Sequence, residues 1–234
     1  MRIISVILMM LILSLPAQAK QIKVAIVDTG INIQDVSNLK LCKNGLIDLT
    51  GTNISDTLHH GSNIAGIIAN RLEKIDYCAY VIKVYGGKLA EYEFLFRVPL
   101  YHLIAFMLTY DLDVDVINYS SGGVYSETEE VLIKGLLNKG VIIDVAAGNR
   151  SQDLDLFCNY WPACIKGITT VGDLNKDHTP NVYSNYGRNT VKVWEIGEDV
   201  CAGGLCLSGT SMATAVHTAK VIKQLYYKSL KEIK

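Results

Sequence analysis

The sequence predicts an α/β fold of three layers, a mostly parallel central sheet with helices on both faces. Short Val- and Ile-rich runs alternate with longer segments of helical period, the pattern of successive βαβ units. The short runs are almost continuously apolar, as strands covered on both faces must be, rather than alternating as in a half-exposed sheet. No internal repeat and no Pro-rich or low-complexity linker divides the 234 residues. One domain over 20–234 is therefore expected, behind an amino-terminal targeting segment.

That segment comes first. Met1-Arg2 is a short positive start, Ile3 to Leu15 is apolar apart from Ser5 and Ser14, and Ala17-Gln18-Ala19 is a small-x-small pattern. The order is that of a secretory signal peptide over 1–19 with cleavage after Ala19; about 20 apolar residues would be needed for a membrane span. The first strand is read at Ile22 to Val27, followed by a helix at His60 to Leu72 and a strand at Ala79 to Val84. Phe94 to Leu108 is apolar, but Arg97, Pro99 and His102 interrupt it, so Tyr92 to Thr109 is read as a buried helix. Val114 to Asn118 is a strand, and Glu127 to Asn138 a helix stopped by Gly140. Strands follow at Val141 to Ala146, Ile168 to Val171 and Val191 to Trp194. The last helix is Ser211 to Tyr227, where Met212, Ala215, Val216, Ala219 and Ile222 repeat at three and four residues and mark one apolar face.

Composition narrows the function. With 22 Lys plus Arg against 23 Asp plus Glu, the chain lacks the basic excess of a nucleic-acid binder. At 50% hydrophobic and 19% charged residues it is too apolar to be disordered. Six cysteines all follow the leader: an even number in an exported chain points to disulfides and to a secreted or periplasmic location. The short spacings of Cys158 with Cys164 and of Cys201 with Cys206 suggest two local loops, which leaves Cys42 for Cys78. No Cys-x-x-Cys occurs, so a zinc site is not expected.

Four short segments carry chemistry. Val24 to Val27 ends in Asp28-Thr29-Gly30, at the carboxyl end of a strand, where α/β sheets gather functional groups. An acid there serves equally as a ribose or metal ligand, an N-cap, or the carboxylate that orients a histidine. The Rossmann glycine pattern is absent, which removes dinucleotide binding. His59-His60-Gly61 opens a helix, so His60 is either a proton-transfer group or a surface histidine near a cap. Ala146-Ala147-Gly148-Asn149 ends a strand in an amide, a turn residue or a donor to developing negative charge. Ser208-Gly209-Thr210-Ser211-Met212-Ala213 puts Ser211 at a helix amino end, where free N–H groups favour an oxyanion and where N-cap serines are also common.

Taken in the order Asp28, His60, Asn149, Ser211, these segments resemble the subtilisin-like serine proteases, the subtilases. The order Asp, His, Ser along the chain is also theirs. Val116 to Gly123 is similar to that family's substrate-lining strand, and Tyr183 to Gly187 to its Ser-Asn-Tyr-Gly turn, so the resemblance runs from about Ile22 to Tyr227. It implies a serine endopeptidase with Asp28, His60 and Ser211 as catalytic residues. Asn149 and the Ser211 N–H would form the oxyanion hole, with the Ser120-Ser121-Gly122 backbone pairing with an extended polypeptide substrate. His60 is preferred to His59 because Gly61 follows it directly; His102, His178 and His217 are read as structural.

The departures from the family are as specific as the matches. Only Lys20 to Val27 separates the expected cleavage point from Asp28, which leaves no room for a propeptide. The chain is then expected to fold unaided, on its disulfides, or with a partner or inhibitor acting in trans. Ser62-Asn63 replaces Thr-His, Ala215 stands where the family has Pro, and Glu195-Ile196-Gly197 stands where Ala-Pro-Gly is common. No acidic loop convincingly holds Ca²⁺, so no cofactor is expected, and no nucleic acid, membrane span or second copy either. Two other readings use the same fold. One is a pseudoenzyme or partner-activated module that binds extended peptides without turnover. The other is an esterase or transpeptidase using the same acyl-enzyme.

Overall fold

A computed structural model describes residues 20–86 and 91–232; the expected signal peptide lies outside them. Its chain order is β1 (Ile22–Asp28), β2 (Leu41–Asp48), α1 (His60–Arg71), β3 (Tyr77–Lys83), α2 (Glu91–Asp111), β4 (Val116–Tyr119) and α3 (Glu127–Asn138). β5 (Ile142–Ala146), β6 (Thr169–Leu174), β7 (Val191–Ile196), β8 (Val200–Ala202), β9 (Leu205–Leu207) and α4 (Thr210–Glu232) complete it. Seven strands form one sheet in the order β2-β3-β1-β4-β5-β6-β7, and every pairing is parallel. The three-layer α/β expectation therefore describes the fold.

The side-chain alternation of β1 shows why both faces must be covered. Ile22, Val24 and Ile26 enter one core with α1 and α4, while Ala25 and Val27 enter the other with α2 and α3. α2 runs through Pro99, and α3 begins where the Ser126 hydroxyl accepts the Glu129 N–H as an N-cap. From β1 the chain builds outward to β3 and β2 on one side and to β4 through β7 on the other. The carboxyl ends of β1 and β4 thus lie where the direction of winding reverses, the place where sheets of this kind leave a crevice.

A buried polar thread fixes α4 over the sheet. Asn118 on β4 donates to the Thr218 hydroxyl at 3.0 Å, and that hydroxyl donates to Asp144 on β5 at 2.8 Å. Burial pushes the Asp144 carboxyl up to about 6, against the pull of His217.

Three strands and a 3₁₀ turn at Ile33–Asp35 were not anticipated. β2 reads as Leu-Cys-Lys-Asn-Gly-Leu-Ile-Asp, mostly exposed, with Asn44 at φ 57° and a register shift between Leu41 and Leu46. It is an edge strand, so only Cys42 and Gly45 need be buried and no apolar run marks it. The β8–β9 hairpin turns through Gly203 and Gly204, both at positive φ, as a two-residue turn requires. The cysteines pair as their spacing suggested. Cys42–Cys78 ties β2 to β3, Cys201–Cys206 crosses the hairpin, and Cys158–Cys164 closes a loop between β5 and β6. Each bridge contributes about 2–4 kcal/mol where unstrained.

Candidate active site

Asp28 is the last residue of β1 and 3% exposed. Its Oδ1 accepts the Thr29 N–H at 2.7 Å and lies 2.7 Å from His60 Nδ1. A buried acceptor so placed holds the imidazole with its proton on Nδ1, leaving Nε2 as the basic nitrogen. Burial pulls the His60 pKa down, but the Asp28 charge and hydrogen bond, with help from Asp56, outweigh it and leave the value raised.

The approach of α1 to β1 depends on a glycine. A Cβ on Gly61 would stand 2.3 Å from the Gly30 carbonyl oxygen, so any side chain there would push His60 off Asp28. The Gly61 N–H donates to the Thr29 hydroxyl at 2.9 Å, and that hydroxyl donates to Asp56 at 2.8 Å. Asp56 also takes the N–H and hydroxyl of Ser62 and the Leu58 N–H. This buried carboxylate, which the motif reading passed over, clamps the start of the helix to the end of the strand. Its position four residues before His60 was the available signal. His59 sits at φ 57° on the exposed side, with Asn32 3.5 Å from its ring, and takes no part in the Asp28 contact. Asn63, a departure from the family pattern, is wholly buried and donates toward the carbonyls of Val200, Ala202 and Leu205, binding α1 to the β8–β9 hairpin.

Asn149 is held at the start of α4 by Thr210, one residue before Ser211. Asn149 Oδ1 accepts both the Thr210 N–H and the Thr210 hydroxyl at 3.0 Å, which leaves Nδ2 as the free, donating end of the amide. Nδ2 lies close to Gly209, 3.1 Å from where a Cβ on that residue would stand. The Gly148 N–H bonds the Thr210 hydroxyl at 3.1 Å, and Asn185 fixes the rest of the loop by donating to Ala147 and accepting from Arg150 and Gln152. Of the first N–H groups of α4, that of Thr210 goes to Asn149 Oδ1 and those of Met212 and Ala213 to the Gly209 carbonyl, while that of Ser211 has no partner among the described residues.

The Ser211 hydroxyl donates to the Ser120 carbonyl at 3.3 Å, and the Ser120 hydroxyl reaches back to the Ser211 carbonyl at 3.2 Å. Among the described residues Ser211 makes no hydrogen bond to His60; catalytic hydrogen bonds are commonly long before substrate binds. Beyond Ser120, the backbone groups of Ser121 and Gly122 have no partners among the described residues, while Gly123 pairs with Trp161 through both of its own. The Ser121 hydroxyl contacts Tyr85. Beside this segment lies a cavity of about 420 Å³ lined in part by Tyr85, Val98, His102, Tyr125 and Glu129. Burial pushes Glu129 up to about 7 and His102 down to about 4, so near neutral pH His102 is uncharged and Glu129 keeps its proton far more often than an exposed carboxyl would. The one group of metal-capable side chains among the described residues, Asp199 with Cys201 and Cys206, has both sulfurs in a disulfide.

The structure thus brings Asp28 to His60, Ser211 to Ser120, and Asn149 to the helix start that carries Ser211. A parallel α/β sheet with these groups at its strand and helix ends has the parts for nucleophilic serine chemistry. The comparisons with known proteins agree with the fold and the motif order. The Subtilase family profile matches residues 19–230, and the chain belongs to that family. Over 206 residues it is 30% identical to the alkaline extracellular protease of Yarrowia lipolytica, covering 78% of this chain and 44% of that protein. To subtilisin-like protease 2 of Pseudogymnoascus destructans it is 30% identical over 201 residues, covering 82% of this chain and 48% of that one. The chain spans about half the length of the curated relatives it matches. Among solved structures, the protease domain of PatA aligns with a TM-score of 0.75 at 19% identity, over 90% of this chain and 81% of that one. A cold-adapted subtilisin-like serine proteinase aligns with a TM-score of 0.72 at 23% identity, over 91% and 79%.

The amide arrangement makes a first expectation. Asn149→Ala removes Nδ2 and frees Thr210, and turnover of a peptide ester or amide is expected to fall by about 10²–10³, the magnitude measured for such an amide in a subtilisin. KM should change little. A drop in kcat below tenfold would show that Asn149 is only a turn residue.

Proposed function

We propose that this chain is an exported serine endopeptidase that cleaves peptide bonds through an acyl-enzyme. The observation that carries the reading is the 2.7 Å contact between His60 Nδ1 and buried Asp28 Oδ1, at the crevice end of the sheet that also bears Ser211. Rotation of the Ser211 hydroxyl from the Ser120 carbonyl to His60 Nε2 passes its proton to the imidazole as Oγ attacks the scissile carbonyl carbon. The carbonyl oxygen, now negative, takes hydrogen bonds from Asn149 Nδ2 and the Ser211 N–H. As the intermediate collapses, the C–N bond breaks and the imidazolium gives its proton to the leaving amine. Water then repeats the sequence, losing a proton to His60 as it attacks the ester, and Ser211 recovers its hydrogen. The free backbone of Ser121 and Gly122 would hold the substrate as an added strand.

Export rests on the charged, apolar, small-residue order of 1–19 and on three disulfides, which persist only outside a reducing compartment. The relative from Yarrowia lipolytica is itself described as extracellular, and no helix of the described residues is long and apolar enough to cross a membrane.

The test is fluorophosphonate labelling of the purified, disulfide-bonded protein, with the adduct located by mass spectrometry. The expected result is one adduct on Ser211, absent from Ser211→Ala and lost in His60→Ala. A folded protein that takes no label would overturn the reading in favour of a peptide-binding module without turnover.

A further inference from the structure

In the proposed mechanism the acyl residue of a substrate has one place to lie. Its carbonyl has to reach Ser211 Oγ and Asn149 Nδ2, and its backbone has to lie along Ser120 to Gly122. It is therefore lodged between two segments: Ser120 to Gly123, which continues β4, and Ala147 to Asn149, which continues β5. On that placement its side chain extends into the gap between them.

That gap is filled. Neither wall carries a side chain at Gly122 or Gly148, and the ring of Tyr160 lies against both backbones. A Cβ on Gly122 would stand 2.4 Å from Tyr160 Cε1 and 2.5 Å from Cζ. A Cβ on Gly148 would stand 3.0 Å from Cδ1 and from Cδ2 of the same ring. The two glycines are what admit the ring. The ring is also held in place. Cys158–Cys164 brackets its loop, Trp161 exchanges both backbone hydrogen bonds with Gly123 at 2.7 and 3.0 Å, and the Trp161 ring packs edge-on against Tyr125 at 4.8 Å. The Ala163 N–H closes a turn onto the Tyr160 carbonyl at 3.1 Å.

We propose that Tyr160 sets the specificity of this site by filling the acyl-side pocket, so that the chain accepts peptides whose acyl residue is Gly, Ala or Ser and excludes Phe, Leu and Tyr. The inference rests on the proposed placement of substrate against Ser211. Its ligand class is an extended peptide with a small residue at the acyl position. One methylene in an apolar pocket is worth about 10–200-fold in discrimination, so removal of a whole ring is expected to reach the upper end of that range.

The experiment has two arms. In the first, kcat/KM is measured on a peptide series that differs only in the acyl residue. In the second, the Ser211→Ala protein is titrated with product-like peptides ending in Ala or in Phe, a readout that needs no turnover. The native ring should favour Ala over Phe in both arms. Tyr160→Ala and the milder Tyr160→Leu, each checked for three intact disulfides, should shift the Phe-to-Ala ratio toward Phe by about 10²-fold for the Ala variant. Tyr160→Phe keeps the ring and should keep the preference. A native protein that takes Phe as well as Ala overturns the proposal, as does a ratio unmoved in both variants. If fluorophosphonate labels Ser211 and the ratio does not move, the Tyr160 assignment alone falls. If the probe does not label but the binding ratio shifts, the hydrolytic reading falls and Tyr160 stands.

Discussion

Ser211→Ala is expected to lower kcat on a peptide substrate by about 10⁶ while leaving KM nearly unchanged. The size is that measured for loss of the serine in subtilisin. It follows from the role given to Oγ: it forms a bond in the transition state and contributes little to holding the ground-state peptide, which in the proposed binding mode pairs with the Ser121–Gly122 backbone. About 10³–10⁴ over uncatalysed hydrolysis should survive, because Asn149 Nδ2 and the α4 amino end remain. A chromogenic peptide assay with active-site titration checks this directly. An alanine variant retaining a tenth of native kcat would remove Ser211 from the nucleophile's role, whatever the labelling showed.

Asp28→Asn should be the next most damaging exchange, at about 10⁴ in kcat. The amide is nearly isosteric, so the backbone should stay in place. What changes is the sign of the hydrogen bond: an Asn nitrogen facing Nδ1 favours the wrong tautomer, and an Asn oxygen supplies no charge for the imidazolium. The pH profile separates this from simple misfolding. The proposed mechanism needs neutral His60, whose pKa is raised above its ordinary 6.5 because the Asp28 charge and hydrogen bond, with Asp56, outweigh burial. Activity in the native protein should therefore fall as the pH drops through a value above 6.5. In Asp28→Asn the same limb should move to lower pH, since burial then acts with less opposition. The stability linkage has the matching sign. A His raised on folding contributes stability below its unfolded pKa and loses that contribution as the pH rises through the folded value, so the acidic side is where the pair stabilises the fold. A limb that does not move would mean that Asp28 does not govern the imidazole.

The disulfide topology bears on how such a site persists. Cys42–Cys78 fastens an edge strand that otherwise buries little, and Cys201–Cys206 stiffens the hairpin on which Asn63 anchors α1. Cys158–Cys164 holds the loop that carries Tyr160. Cys201–Cys206 acts at an exposed hairpin, whereas Cys42 and Cys78 are themselves buried in the core shared with α2 and α3, and Cys164 packs against that core.

Much of this molecule is written locally in its sequence. The central strands are legible because burial on both faces demands unbroken apolar runs, and the helices because one face repeats at three and four residues. The candidate residues Asp28, His60, Asn149 and Ser211 are legible because each sits at the end of such an element beside a glycine that only close backbone approach explains. Tertiary structure alone decided the rest. β2 became a strand because β3 offered it an edge, not because its own residues insist on one. Asp56 gained its role from Thr29 and Ser62, which reach it only after α1 docks on β1. Asn63 proved to be a brace across more than 130 residues of chain. Tyr160, unremarkable in the sequence, came to stand between Gly122 and Gly148. Periodicity records which face of an element is buried, whereas these contacts depend on which distant segments the sheet brings side by side.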